Sequence, residues 1–159
     1  TNLEYIIDML KYCYKIDLPT SAFWIIGFPG ETIENMQETI DLSLELYDKY
    51  DVEPLMSVAT PLYGTELYYE SLENGFISNN LTDMDFAQAT KVEGSSLIET
   101  LDFTARDVKK LSKNFNNRFQ RLRSVKKRKR QLNSINKKMM RLSKNPITTF
   151  KRLASRVIS

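Results

Sequence analysis

The sequence predicts an α/β fold that continues into a basic α-helical C-terminal extension. Two short apolar segments, residues 22–28 and 55–59, flank one amphipathic helical pattern, which is the order of a βαβ unit with parallel strands. The first segment stops at a Pro-Gly pair, as a strand does before a tight turn. From Thr104 onwards the hydrophobic periodicity is purely helical.

Composition limits the classes of protein to which the chain can belong. Its 159 residues suffice for one domain with a core, and no apolar run approaches the roughly 20 residues of a membrane-spanning helix. There is no His and Cys13 is the only Cys, so an internal disulfide is excluded and a reducing, cytoplasmic location is predicted. The missing start Met, and a helical pattern that begins at Thr1, predict a fragment of a longer protein.

Charge divides the chain into two parts. Residues 1–103 hold 19 Asp and Glu against four Lys and Arg, whereas residues 104–159 hold 19 Lys and Arg against Asp107 alone. The two parts therefore carry net charges near −15 and +18, an asymmetry typical of pieces with different surfaces. We predict one domain over residues 1–103 and a basic helical extension over residues 104–159.

The first helix is predicted from its cap and its period. Thr1 and Glu4 have the spacing of a capping box, and apolar residues then recur at helical period as far as Tyr14. Leu18-Pro19 ends the pattern, because the residue before a proline avoids the helical conformation.

The next strand, turn and helix follow without a gap. Residues 22–28 are uniformly apolar, as strands covered on both faces are in parallel sheets. Pro29 and Gly30 fit the two central positions of a type II turn. Thr32 fits an N-cap, and an apolar stripe predicts a helix over roughly residues 33–50.

A second strand and a short helix complete the unit. Residues 55–59 form an apolar run that ends at Thr60-Pro61, and Gly64-Thr65 then opens a helix that Gly75 stops. Residues 76–103 carry weaker signals, with a short strand predicted at residues 96–98.

The basic extension predicts one long helix. Thr104 and Asp107 have capping-box-like spacing at its start, and Asn145-Pro146 breaks the pattern. An apolar stripe runs on both sides of the basic residues 126–130. Its members are Val108, Leu111, Phe115, Phe119, Leu122, Val125, Leu132, Ile135, Met139 and Leu142. A last short amphipathic segment is predicted around Phe150, Leu153 and Val157.

The turn after the first strand is the candidate functional feature. In α/β folds ligands bind beyond the carboxyl ends of the strands, where this turn lies. Gly27 lets the backbone approach a neighbour or a ligand closely, and the helix start after Thr32 presents free N–H groups. The same residues also make a sound loop without any ligand, so the spacing alone leaves both interpretations open.

Two motifs around these turns resemble a known family. The first is Ile25-Ile26-Gly27-Phe28-Pro29-Gly30-Glu31-Thr32, and the second is Val58-Ala59-Thr60-Pro61 with Gly64-Thr65-Glu66-Leu67-Tyr68. In this order, with one helix between them, they resemble the later half of a radical S-adenosylmethionine (radical SAM) enzyme. The resemblance is greatest to the branch with an upstream cobalamin-binding domain, which includes proteins similar to the anaerobic magnesium-protoporphyrin monomethyl ester cyclase. It covers about residues 1–76 and, loosely, the extension to residue 125.

The resemblance implies a fold, an activity and cofactors. The fold would be the C-terminal part of a partial (β/α)6 TIM-like barrel, with residues 1–103 as late βα units and the connection that follows. The activity would be radical chemistry on an unknown small-molecule substrate, started by cleavage of S-adenosylmethionine at an iron–sulfur ([4Fe–4S]) cluster. The family's Cys-x3-Cys-x2-Cys loop is absent, and Cys13 alone cannot replace it. The fragment would therefore be inactive without its missing N-terminal part, which would also carry any cobalamin.

The resemblance also implies site residues. Ile25, Ile26 and Gly27 would line the adenine pocket of S-adenosylmethionine. Ala59, Thr60 and Pro61 would give backbone polar contacts to the adenine edge. Glu31 and Thr32 would shape the turn and cap the helix rather than touch the cofactor. The resemblance names no catalytic side chain and no metal ligand in this chain, and Tyr63 departs from the commoner Pro-Gly-Thr form of the second motif.

An alternative from another class is a non-catalytic α/β module with a basic helical arm. The run of residues 126–130 would attract nucleic acid, and a basic amphipathic helix can also lie on an anionic membrane surface. A simpler interpretation is that the extension packs its apolar stripe on the barrel and leaves its charges in water. The coding sequence upstream of Thr1 separates the enzyme from the module, since only the enzyme needs a Cys-x3-Cys-x2-Cys loop there.

Overall fold

The computed structural model describes residues 2–89 and 96–144, which form two strands and five helices. In chain order these are α1 (Leu3–Lys15), β1 (Ser21–Ile26), α2 (Ile33–Tyr50), β2 (Glu53–Val58), α3 (Glu66–Glu73), α4 (Asp83–Ala89) and α5 (Ala105–Lys144). The chain divides into two compact units, residues 1–119 and residues 120–159. The domains predicted from charge, 1–103 and 104–159, stay a prediction.

The βαβ unit is the centre of the first compact unit. β1 and β2 pair in parallel, in a register that runs from Ser21 opposite Glu53 to Ile26 opposite Val58. α2 is the crossover that parallel pairing requires. The predicted parallel strands, and the predicted helix over roughly residues 33–50, are therefore confirmed.

The predicted part of a (β/α)6 TIM-like barrel is wrong. The described residues are mostly helical, and their only sheet is the two-stranded pair of β1 and β2. In the segment expected to connect late barrel units, the described residues 76–89 and 96–103 form α4 and irregular structure. A two-stranded parallel sheet with helices is therefore the fold that the structure supports for this chain.

The short strand predicted at residues 96–98 is also absent, for a local reason. The Ser96 hydroxyl donates to the carbonyl oxygen of Ile98 at 2.9 Å, and its oxygen accepts from the N–H of Ile98 at 3.1 Å. The backbone groups that a strand would turn to a neighbour are thus used within three residues. Ile98 is nevertheless fully buried, so the apolar signal indicated burial and not strand conformation.

The core lies between the sheet, α2 and the first turns of α5. Ile26 from β1 and Met36, Ile40 and Leu44 from α2 are buried. The predicted stripe at the start of α5 is buried as well, at Val108, Leu111, Phe115 and Phe119. Phe119 meets Tyr47 of α2 edge to face, with ring centroids 4.9 Å apart. Up to Phe119 the extension therefore packs its apolar stripe, as the simpler interpretation predicts.

Helix starts are fixed by side-chain caps. Thr32 and Asn35 form a capping box at α2, which confirms the predicted N-cap. The Thr104 hydroxyl donates to Asp107 at 2.6 Å before α5. That bond and, secondarily, the one from Lys110 lower the pKa of Asp107. At α1 the cap is Asn2, whose side chain accepts from the N–H of Glu4, whereas the predicted partner Thr1 lies outside the described residues.

The described part of the second compact unit, residues 120–144, is the continuation of α5. It holds eleven Lys and Arg and no Asp or Glu. Within the described ranges no helix has an apolar stretch long and pure enough to cross a membrane. The break predicted at Asn145-Pro146, and the amphipathic segment predicted around Phe150, lie outside the described residues.

Candidate functional site

The candidate site is the edge of the sheet where both strands end. Because β1 and β2 are parallel, the turn over residues 27–32 and the turn over residues 59–65 begin side by side. The N–H of Ala59 donates to the carbonyl oxygen of Ile26 at 2.8 Å, which extends the ladder one residue past β2. The two motifs of the resemblance are therefore neighbours at one edge.

The first turn is held by the carboxylate of Glu31. Its Oε2 accepts from the N–H of Gly27 at 2.6 Å and from the N–H of Phe28 at 2.8 Å. The N–H of Glu31 donates to the carbonyl oxygen of Phe28, and Gly30 has φ of +85°, as the third residue of a type II turn must. The predicted turn, and the predicted role of Glu31 in shaping it, are confirmed.

Removing this carboxylate should cost measurable stability. We expect Glu31→Ala to lower the free energy of unfolding by about 1–3 kcal/mol, because two N–H groups lose a charged acceptor. Urea denaturation followed by circular dichroism measures the change. Glu38→Ala is the matched control, since Glu38 is exposed on α2 and has no hydrogen bond or ion pair among the described residues. Equal losses in the two variants would contradict the role given to Glu31.

Gly27 lies in a filled environment. It is buried, its φ is +89°, and a Cβ added to it would meet Val58 at 3.6 Å and Val108 at 3.7 Å. The close approach that this glycine permits is therefore an approach of side chains from β2 and α5. Its positive φ also serves the turn, because L residues with a side chain rarely adopt that conformation.

The predicted cofactor residues divide by exposure. Ile26, Gly27, Ala59 and Pro61 are buried. These four residues therefore pack in the interior beneath this edge of the sheet and do not present surface to a ligand. Ile25 is 46% exposed, and Thr60 is half-buried with its hydroxyl donating to the carbonyl oxygen of Val58 at 3.2 Å. Of the predicted residues, Ile25 and Thr60 are the two that present surface to a ligand.

Ile25 belongs to an uncovered face of the sheet, which we call the open sheet face. Its members are the exposed residues Ser21, Phe23, Ile25, Leu55 and Ser57. Phe23 is 79% exposed and stands opposite Leu55 in the register. The uniformly apolar residues 22–28 predicted that β1 is covered on both faces. Within the described residues that prediction is wrong, because one face of β1 is exposed. The open sheet face is an apolar platform that ends at the candidate site.

An aromatic cluster packs against the second turn, residues 59–65, through Tyr63. The ring of Tyr63 lies 4.5 Å from that of Phe86 and 5.0 Å from that of Tyr68, centroid to centroid. Its hydroxyl donates to the carbonyl oxygen of Leu81 at 3.4 Å. Desolvation, with smaller contributions from Tyr68 and the nearby acidic residues, raises the pKa of Tyr63. The sequence analysis missed this cluster, because Phe86 reaches the turn only through the tertiary fold.

Comparison with known proteins gives a distant relative that covers part of the chain. The chain is similar to an uncharacterized methyltransferase of Pyrococcus horikoshii. The two are 30% identical over 105 residues, which cover 66% of this chain and 21% of that protein. The chain thus spans about a fifth of the length of its relative. No protein family matches the chain, and no solved structure matches it either.

The residues of this chain do not fit an iron–sulfur cluster. Such a cluster needs three or four thiolates, and the sequence contains a single Cys. Cys13 is half-buried and unpaired on α1. Among the described residues, no group of three His, Cys, Asp or Glu side chains is placed to hold a metal ion. Any cluster that works with this chain must take its ligands from elsewhere.

Proposed function

We propose that this chain is the C-terminal portion of a radical SAM enzyme, with methyl transfer as its outcome. The observation that carries the proposal is the parallel register of β1 and β2, which puts both motif-bearing turns at one edge of the sheet. The name of the relative, a methyltransferase, supports the outcome. The substrate is a small molecule whose identity depends on parts of the protein outside this chain.

The role proposed for this chain is to hold the adenine side of S-adenosylmethionine. Ile25 offers an exposed apolar side chain on the open sheet face, where a planar ring can rest. Thr60 follows directly after β2 and is half-buried, so its backbone lies near the same edge. Ile26, Ala59 and Pro61 act from the interior by fixing the position of these two residues. No step of the reaction is assigned to a side chain of this chain.

The rest of the enzyme is proposed to cover the open sheet face. Parallel sheets are normally buried on both faces, and two strands alone are marginal in stability. Phe23, Ile25 and Leu55 are exposed and together form an apolar patch. An exposed patch of this kind marks a surface that contacts another part of a protein or a partner. The missing N-terminal part would supply the cluster ligands and, in the branch resembled, a cobalamin-binding domain.

A second candidate function is favoured by α5. Its described part from residue 120 is basic and carries exposed apolar side chains, as a nucleic-acid-binding or membrane-binding arm would. This would suit a non-catalytic α/β module. A Cys-x3-Cys-x2-Cys loop encoded upstream of Thr1 would favour the enzyme, and its absence would favour the module.

The site is tested in the longer polypeptide that includes the upstream coding sequence. We expect Ile25→Ser to weaken S-adenosylmethionine binding by about tenfold, because an apolar contact with the ring is lost. Isothermal titration calorimetry measures the affinity. Ile16→Ser is the matched control, since Ile16 is 54% exposed after α1 and lies outside the site. Equal affinities of both variants and the unmodified protein would remove the open sheet face from the cofactor site.

A further inference from the structure

The second compact unit combines a strong positive charge with uncovered apolar side chains. Residues 120–159 contain 14 Lys and Arg and no Asp or Glu. On the described part of the helix, Val125, Leu132, Ile135 and Met139 are 47%, 58%, 52% and 57% exposed. Such side chains on a helix normally pack against something. The proposed radical SAM function uses neither property, and the second candidate function uses both without choosing between nucleic acid and membrane.

The charge and the apolar side chains lie on different faces of the helix. At about 100° per residue, Val125, Leu132, Ile135 and Met139 fall within an arc of about 80°, which we call the apolar stripe. The opposite face carries Lys and Arg, at positions 123, 126, 127, 130, 137 and 138. Among the cations of this unit's described part, Arg121 and Arg128 lie within the stripe, where their long stems can cover apolar surface while their heads reach water.

Two other partners fit this helix less well, a second copy because of charge and nucleic acid because of the apolar stripe. A second copy of this helix would bring Arg121 and Arg128 of both copies into one seam, flanked by Lys129 from each copy. No acidic residue in this unit is available to offset that repulsion. Nucleic acid would neutralise the cations but would leave the stripe exposed to water.

We propose that residues 120–144 dock on an anionic phospholipid surface. The apolar stripe would enter the boundary between headgroups and acyl chains, and the cations would meet the lipid phosphates. An anionic membrane is the partner that uses both faces of the helix at once. The inference rests on charge complementarity and exposure in this unit, and it is independent of the proposed radical chemistry.

Vesicle flotation tests the docking with the 159-residue chain. We expect the chain to float with vesicles of phosphatidylglycerol and phosphatidylcholine in equal parts, and not with pure phosphatidylcholine. Raising the salt to about 0.5 M should weaken but not abolish the binding, because screening removes the electrostatic part alone.

The apolar stripe is tested by a double variant with a matched control. We expect Leu132→Ser with Met139→Ser to weaken vesicle binding roughly tenfold or more, because two apolar side chains that would enter the lipid are lost. Leu101→Ser with Met84→Ser removes the same two residue types from exposed positions outside the helix, and it should bind like the unmodified chain. Unchanged binding of the stripe variant would reduce the interaction to electrostatic adsorption and overturn the proposal.

The cations are tested in the same way. Lys127→Gln with Lys138→Gln should weaken binding roughly tenfold, since each cation near an anionic surface contributes. Lys109→Gln with Lys113→Gln removes equal charge from the first compact unit and should have a smaller effect. Tighter binding to a duplex DNA or a single-stranded RNA than to anionic vesicles would overturn the proposal. So would a dimer in sedimentation that the stripe variant abolishes.

Discussion

Reconstituted anaerobically with iron and sulfide, the isolated 159-residue chain should hold no [4Fe–4S] cluster and should leave S-adenosylmethionine intact. The reason is the number of thiols, since a cluster needs at least three and this sequence has Cys13 alone. Iron and sulfide content, the cluster absorbance band and chromatographic detection of 5′-deoxyadenosine measure the result. The expected effect is complete loss and not a reduced rate.

Two companion samples make that result decisive. Cys13→Ser should behave like the unmodified chain, because this thiol is given no role in the site. The longer polypeptide with its upstream sequence should bind the cluster and release 5′-deoxyadenosine. Stoichiometric iron and sulfide in the isolated chain would show that the argument from thiol number is wrong. An inactive, cluster-free longer polypeptide would instead reject the proposed radical SAM function.

Gly27→Val should destabilise the fold by about 2–5 kcal/mol. About 1–2 kcal/mol is expected from a side chain forced to positive φ, and the rest from methyl groups pressed into a packed site. Gly27 has φ of +89°, and its Cβ position already faces Val58 and Val108. Urea denaturation of the isolated chain measures the loss.

Gly30→Val separates strain from packing. Gly30 has a similar φ of +85°, but a Cβ added there would meet nothing within 4 Å. It should therefore lose about 1–2 kcal/mol, from the backbone conformation alone. In the longer polypeptide, S-adenosylmethionine affinity and melting temperature should fall together for Gly27→Val. If the affinity falls by more than the loss of stability explains, Gly27 contacts S-adenosylmethionine directly.

The elements that were predictable are those with local signals. The Pro29-Gly30 turn, the Thr32 cap and the helical stripe after it act within a few residues of one another, and the structure has all three. The parallel pairing of the strands follows from the crossover helix between them. Each of these features needs no knowledge of distant parts of the chain.

The features that were not predictable depend on tertiary context or on competing local bonds. The Ser96 hydroxyl bonds to both backbone polar groups of Ile98, so the Ser-Leu-Ile segment predicted as a strand is instead an irregular segment with Ser96 and Ile98 buried. The exposure of Phe23 depends on what lies beside the sheet, which the hydrophobicity of one strand does not encode. Within the candidate site, Ile25 and Ile26 are equivalent in sequence, and the pleat of the strand alone decides which one a ligand can reach.

The double hydrogen bond to Glu31 has a consequence for the thermodynamics of ligand binding at this edge. A loop whose amides are already satisfied keeps its shape with or without a ligand. The conformational entropy of residues 27–31 is therefore lost when the protein folds. Ligand binding does not have to order these residues, so the free energy of binding is not reduced by that cost. This edge of the sheet is therefore preorganised, and any slow ordering step that accompanies binding must occur in another part of the protein.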